Sequence, residues 1–415
     1  HDPLRRQRQM CIRDSLRLDQ ILKKLYLGLL MGTKKSFSTR CVHEGEIKDT
    51  MYQGIVSPLF MSTTYPWYGG DAEKKPYPRY FNTPNQEFLS KKIASLENGE
   101  KALIFTSGMA AISTSIMANV KTGDHIVFQN DLYGGTRNFI QTEFDKFGIE
   151  YSFTEGLDPQ DFSNQIKDNT VGIYLETPSN PLLKIVDLKS VSSIANEKGI
   201  WTMIDNTFSS PVNQNPIDHG IDIVLHSATK YLGGHSDISA GAVVSSESII
   251  ERILNSAKNF GGNLSDYTVW LLERSMKTLL IRVKEQTNNA KILAKMLEEN
   301  TNISRVYYPG LESHPSYELA KSQMNDFGAM MSFDLNKNVD VYDFLKSLKI
   351  IKPGMSLAGV ETTVNFPMKT SHGLMTQQER DIQGIGDKLI RLSVGIESYE
   401  DIYSDLDQAI KSSIK

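Results

Sequence analysis

Two cysteines, Cys11 and Cys41, are all that 415 residues contain. They cannot staple a chain of this length, so ordinary apolar packing must supply the core. No Cys/His spacing of the zinc type occurs, and no metal is expected. No apolar run approaches the roughly 18 residues that cross a bilayer. The stretch 21–31 (ILKKLYLGLLM) is broken by two lysines, and no small-residue cleavage site follows it. An excess of either charge is also missing. The net charge of −4 gives no electrostatic case for binding nucleic acid or an anionic membrane. There is no internal repeat and no low-complexity tract. No G-x-G-x-x-G follows an early strand, which speaks against a dinucleotide-dependent oxidoreductase. What remains is 40% hydrophobic and 23% charged residues, the balance of a soluble globular protein. A reducing cytoplasm is the simplest compartment for it.

The length suits two domains. The string Met10–Ser15 (MCIRDS) resembles the translation of a sequencing adapter, so residues 1–30 read as a non-native leader or a disordered basic tail. Residues 31–85 are rich in Tyr, Pro, Gly and Thr with little periodicity, and read as an extended arm reaching a partner. From about 86 to 275, short β-rich runs (ALIF 102–105, HIVF 125–128, VGIYLE 171–176, WTMID 201–205, DIVLHS 222–227, AVVSS 242–246) alternate with helical stretches at 109–119, 137–147 and 187–199. That alternation predicts a mainly parallel central sheet with helices on both faces. A long helical stretch at 266–299 leads into a smaller C-terminal α/β domain, 276–415, which closes on a charged helix at 399–413.

Five segments carry candidate chemistry. Lys230 follows the apolar strand DIVL, with hydroxyls at Ser227 and Thr229 beside it. Burial lowers a lysine's pKa and frees its amine for Schiff-base chemistry, although a surface lysine just past a strand has the same local sequence. Asp205 ends WTMID at the carboxyl end of a neighbouring parallel strand. There it suits a protonated pyridine nitrogen, or a cap on the turn through Asn206 and Thr207. In FTSGMAAIS, Ser107-Gly108 lies between a strand and a helix opening at Met109, an arrangement suited to phosphate. In DLYGGT, Tyr133 precedes two glycines and can lie on an aromatic ligand or pack on the surface. Arg391 lies in the apolar run LIRLSVGIE and needs an anion. An amino-acid carboxylate fits its planar fork, and so does a salt bridge to Glu361 or Glu397.

Taken in order, SGMAA, DLYGGT, ETPSNP, IDNT, HSATKYLGGHSD, SLAGVET and IRLSVGIE resemble the Cys/Met-metabolism family of pyridoxal-phosphate enzymes over about residues 36–413. The resemblance implies a fold-type-I, aspartate-aminotransferase-like α/β architecture and pyridoxal 5'-phosphate as cofactor. It implies that Lys230 carries the cofactor and shuttles protons, that Asp205 holds the ring nitrogen, and that Tyr133 stacks on the ring. Gly108, Met109, Ser227 and Thr229 are then the phosphate cradle. Asn180 reaches the phenolic oxygen, and Arg391 with Ser356 and Asn180 receives the substrate. Tyr77 and Arg79, in YPR, resemble the arm motif that crosses to a neighbouring subunit's site, which implies a homodimer or homotetramer.

The family spans cystathionine β-lyases, γ-synthases, γ-lyases and methionine γ-lyases. The arm continues Asn82-Thr83-Pro84 where the family reads Asn-Pro-Thr. Gly135 stands where methionine γ-lyases carry cysteine. Met355 and Pro76 stand where γ-type members commonly have acids. The arm departure implies a different bend there and Gly135 speaks against a methionine γ-lyase, while the two missing acids favour carbon–sulfur β-elimination on cystathionine or a related sulfur amino acid. The alternatives are γ-replacement, γ-elimination or sulfhydrylation, and, outside enzymes, a cofactor carrier or regulator.

Overall fold

The computed structural model describes residues 35–373 and 375–415; the leader and its possible origins lie outside them. Seven strands form the larger sheet: β1 (Lys101–Phe105), β2 (His125–Phe128), β3 (Glu150–Phe153), β4 (Thr170–Glu176), β5 (Trp201–Asp205), β6 (Ile223–His226) and β7 (Gly241–Ser245). Their order is β1-β7-β6-β5-β4-β2-β3. The pairs from β6 to β3 are parallel, while β7 runs antiparallel to both β1 and β6.

Successive side chains of a strand point to opposite faces, and here both faces are buried. Ile204 and Val224 join the core on one face, while Met203 and Leu225 join the core on the other. This explains why the strands read as continuous apolar runs. β3 has no such run. Only Tyr151 and Phe153 alternate on this edge strand, which pairs with β2 alone, and the sequence pattern passes over it.

Strand direction decides where chemistry sits. With β7 reversed between them, β1 and β6 point the same way, so β1, β2, β4, β5 and β6 all end at one edge. The turns that follow carry Ser107-Gly108, Tyr133, Asn180, Asp205 and Lys230, in the crevice where such sheets bind ligands.

The smaller sheet contains β8 (Ile303–Tyr307), β9 (Met330–Leu335), β10 (Lys352–Pro353), β11 (Thr363–Asn365) and β12 (Leu389–Ser393), in the order β10-β11-β12-β9-β8. All its pairs are antiparallel except β10–β11. Arg391 sits at the centre of β12.

The expected helix at 266–299 is two helices, Asp266–Met276 and Leu279–Glu298, broken at Lys277-Thr278. The arm also departs from expectation, because Phe37–His43 is helical and Ser36 caps it. That helix is pinned by Lys92, wholly buried, whose Nζ donates to the Cys41 carbonyl at 2.8 Å and to Glu273 at 3.2 Å. From Met51 to Tyr68 the arm is largely exposed, apolar residues included. Among the described residues no helix is long and apolar enough to cross a membrane, and no His/Cys/Asp/Glu group could hold a metal ion.

Candidate active site

At the shared strand edge lies a cavity of about 230 Å³. Its wall holds Ser107, Gly108, Met109, Tyr133, Asn180, Asp205, Ser227, Thr229, Lys230 and Arg391, together with Glu176, Thr207, Phe208, Met355 and Ser371.

The turn at Ser107-Gly108 opens the helix Gly108–Met117. The Ser107 hydroxyl accepts from Ala110 N at 3.1 Å and caps the helix. The amides of the first helical turn are donors without intrahelical partners, and they favour negative charge. A Cβ on Gly108 would lie 2.8 Å from the Cβ of Ser227, and one on Gly241 would lie 2.0 Å from the Ser107 carbonyl. Two glycines therefore let this turn settle against β7 and the Ser227 turn. The Thr229 hydroxyl exchanges hydrogen bonds with the backbone of Ala240 at 2.9 and 3.2 Å; it lines the cavity with one side already committed.

Asp205 is buried, and Thr207 N donates to it at 3.0 Å. The turn cap expected from sequence therefore exists, and the carboxylate still faces the cavity. Burial lifts its pKa above the ordinary carboxylate value, while hydrogen bonds from Thr207 and the charge of Lys230 pull the other way. Glu176, at the end of the adjacent β4, is buried too. It accepts from Tyr133 N at 2.8 Å and from Asn180 N at 3.1 Å. Its pKa stands well above the ordinary value because of burial and the neighbouring Asp205.

Lys230 Nζ donates to the Ser356 hydroxyl at 2.9 Å, and among the described residues no carboxylate lies within ion-pair distance of it. Burial, and next the charge of Arg391, bring its pKa down to about 8, against the pull of Asp205.

Tyr133 precedes the helix Gly134–Phe147 and is 40% exposed, with its ring at the cavity wall. The two glycines after it have steric reasons. A Cβ on Gly135 would lie 2.5 Å from the Tyr133 ring, and one on Gly134 would lie 2.3 Å from the Ser371 carbonyl.

Arg391 reaches in from β12, only 2% exposed. It donates to Asn180 Oδ1 at 3.0 Å and to the Ser356 carbonyl at 3.4 Å, while its Nε has no partner. Burial lowers its pKa to about 10. Neither carboxylate named as a salt-bridge partner takes it. Glu397 binds Thr362 at 2.7 and 2.8 Å, and Glu361 makes no ion pair with it among the described residues. The guanidinium is therefore a buried cation turned toward the cavity with unused donors.

Tyr77 and Arg79 stand apart. They lie on the arm, outside this cavity, and Arg79 donates to the Lys258 carbonyl at 2.8 Å beside the rings of Tyr77 and Tyr80. Sequence reasoning passed over Glu176, though it ends an apolar strand as Asp205 does, and over Phe208 and Ser371, for which no local pattern existed; Thr207 it read as a turn residue alone.

The parts fit pyridoxal phosphate. A lysine amine of depressed pKa, a buried carboxylate, an aromatic face, an anion cradle and a guanidinium share one cavity, each charge of the sign that a phosphorylated pyridine aldehyde and an amino acid need. Comparison with known proteins agrees. Residues 38–411 match the family described as Cys/Met metabolism PLP-dependent enzyme. The chain is 39% identical to a cystathionine β-lyase of Lactococcus lactis, covering 91% of this chain and 99% of that one. It is 38% identical to an L-methionine γ-lyase of Fusobacterium nucleatum, covering 92% and 100%. A crystal structure of cystathionine γ-lyase from Lactobacillus plantarum complexed with L-serine superimposes with TM-score 0.88 at 36% identity, covering 91% of this chain and 99% of that one.

Proposed function

We propose that this chain, which belongs to the Cys/Met metabolism PLP-dependent enzymes, cleaves the carbon–sulfur bond of cystathionine or a related sulfur amino acid by β-elimination. Pyridoxal phosphate, the family's cofactor, supplies an electron sink conjugated to the substrate's α carbon. Lys230 would hold it, with Asp205 at the ring nitrogen, Tyr133 on the ring face and Asn180 at the phenolic oxygen. Gly108, Met109, Ser227 and Thr229 would hold the phosphate.

The chain's own groups account for the remaining work. Arg391, with Asn180 and Ser356 beside it, binds the substrate carboxylate and fixes which face of the α carbon meets Lys230. Lys230, once free as a neutral amine, takes the α-proton and returns a proton to the departing sulfur. The Ser356 hydroxyl, 2.9 Å from Nζ, holds that amine in line.

One observation carries the choice of β-elimination. The residue beside Ser356 is Met355, which lines the cavity mouth and is 77% exposed. The carboxylates in the wall are Asp205 and Glu176, both buried and both hydrogen-bonded. A distal ammonium therefore meets a thioether where γ-type members commonly place an acid, and that departure is what favours β-elimination. The exposed apolar arm, with Tyr77 and Arg79 outside the cavity of their own chain, supports a homodimer or homotetramer in which the arm completes a neighbouring site.

Product analysis with L-cystathionine tests the reading. With one water consumed, β-elimination yields homocysteine, pyruvate and ammonia. Cysteine with 2-oxobutyrate as the main products would replace it by γ-elimination. Cystathionine formed from an O-acylhomoserine and cysteine, with no pyruvate from cystathionine, would replace it by γ-synthesis.

A further inference from the structure

Behind Asp205 lies a buried polar cluster that takes no part in lining the cavity. Glu97 follows the helix Pro84–Leu96 and is wholly buried. Its Oε1 accepts from His226 Nε2 at 2.5 Å and from Asn206 Nδ2 at 2.9 Å, and its Oε2 accepts from Asn215 Nδ2 at 3.2 Å. An ionised carboxylate only accepts, so His226 Nε2 carries a proton. Gln214 Nε2 donates to Asn206 Oδ1 at 3.1 Å and completes the cluster.

Sheet geometry places this cluster. Asp205 pairs with Leu225 in the β5–β6 register. The next residue on each chain, Asn206 and His226, turns to the opposite face, and both reach Glu97. Their neighbours Asp205 and Ser227 line the cavity. Glu97 thus clasps two adjacent strand ends from the rear. A buried carboxylate–imidazole pair is weak evidence for stability, since apolar replacements often serve as well. Its place one residue from Asp205 gives it a different use.

We propose that Glu97 and His226 are positioning residues for Asp205: the pair clasps the ends of β5 and β6 from the far face of the sheet and fixes the Asp205 carboxylate where a pyridinium nitrogen would meet it. The proposal rests on the cofactor placement above. It adds that the ring-nitrogen preference of the site is set from the far face of the sheet.

The test uses the full chain freed of cofactor. Dissociation constants are measured by fluorescence for pyridoxal 5'-phosphate and for the analogue with C–H in place of the ring nitrogen. The analogue keeps aldehyde and phosphate but gives Asp205 nothing to hold. Glu97→Gln and His226→Gln are each expected to weaken pyridoxal phosphate about tenfold, a loss of about 1.4 kcal/mol, and to leave the analogue within about twofold. His226→Gln retains a donor for Glu97 while removing the imidazole ring, so it carries the test if Glu97→Gln does not fold. A merely structural role would weaken both ligands alike; that result, or no change for either ligand, overturns the proposal. Asp205→Asn checks the underlying placement separately. The preference for nitrogen over C–H must vanish there, and its survival would remove Asp205 from the ring nitrogen and the pair's role with it.

Discussion

The amine of Lys230 offers the most direct measurement of how this site works. Its pKa is brought to about 8, first by burial, then by the charge of Arg391, with Asp205 pulling the other way. At pH 7.5 such an amine is roughly one-quarter neutral, against about one in a thousand for an ordinary lysine. The nucleophilic form is thus enriched about two-hundredfold before any geometric advantage. Competitive acetylation of the cofactor-free protein from pH 6 to 11, with mass spectrometry of the Lys230 peptide, reads the midpoint. It is expected near 8. Arg391→Leu removes a repelling cation and is expected to raise it, whereas Asp205→Asn removes an attracting anion and is expected to lower it. A midpoint at the ordinary lysine value, or shifts of the same sign in both variants, would refute the electrostatic account of the site.

Gly135→Ala puts a methyl group 2.5 Å from the Tyr133 ring. It is expected to displace that ring and weaken pyridoxal phosphate by about threefold to tenfold, the worth of one aromatic contact, with little loss of thermal stability. Unchanged affinity would free Tyr133 from the cofactor. Arg391→Ala is expected to raise KM for amino-acid substrates about a hundredfold, the worth of a buried charge-assisted pair; an unchanged KM would make Arg391 structural. His125, His314 and His372 are buried, and burial holds each pKa at about 4. Depressed folded-state values mean that the unfolded chain binds the extra protons. Stability is then complete above about pH 6.5 and falls toward pH 4. Urea unfolding at pH 7 and pH 5 is expected to show a clear loss, smaller in His125→Gln, and pH-independent stability over that range would count against it.

Much of the fold was legible because the physics is local. The runs HIVF, VGIYLE and DIVLHS are apolar on both faces, and only a strand covered on both sides buries them well. β3 was not legible, since a half-buried edge strand paired on one side alone needs no apolar run. The break at Lys277-Thr278 was equally hidden, because helical spacing continues across it. Within the site, Lys230, Asp205 and Arg391 could be picked out as charges in apolar surroundings. Glu176 obeyed the same rule. Its meaning, a carboxyl that gathers the backbone of Tyr133 and Asn180, depends on distances between strands. Glu97 and His226 lie 129 positions apart, and nothing in either neighbourhood points to the other.

By itself, then, the order of residues determined which segments become strands, which turns carry glycine and hydroxyl groups, and which charges could not rest in apolar surroundings without a partner. Periodicity and desolvation act over a few residues, so a linear reading can detect them. Only the tertiary structure decided which charges face one another, how far apart they stand, and whether Arg391 meets a carboxylate or keeps its donors for a ligand. Those outcomes depend on strand order and on one sheet meeting another, and electrostatic energies at 3 to 8 Å follow distance and burial rather than sequence separation.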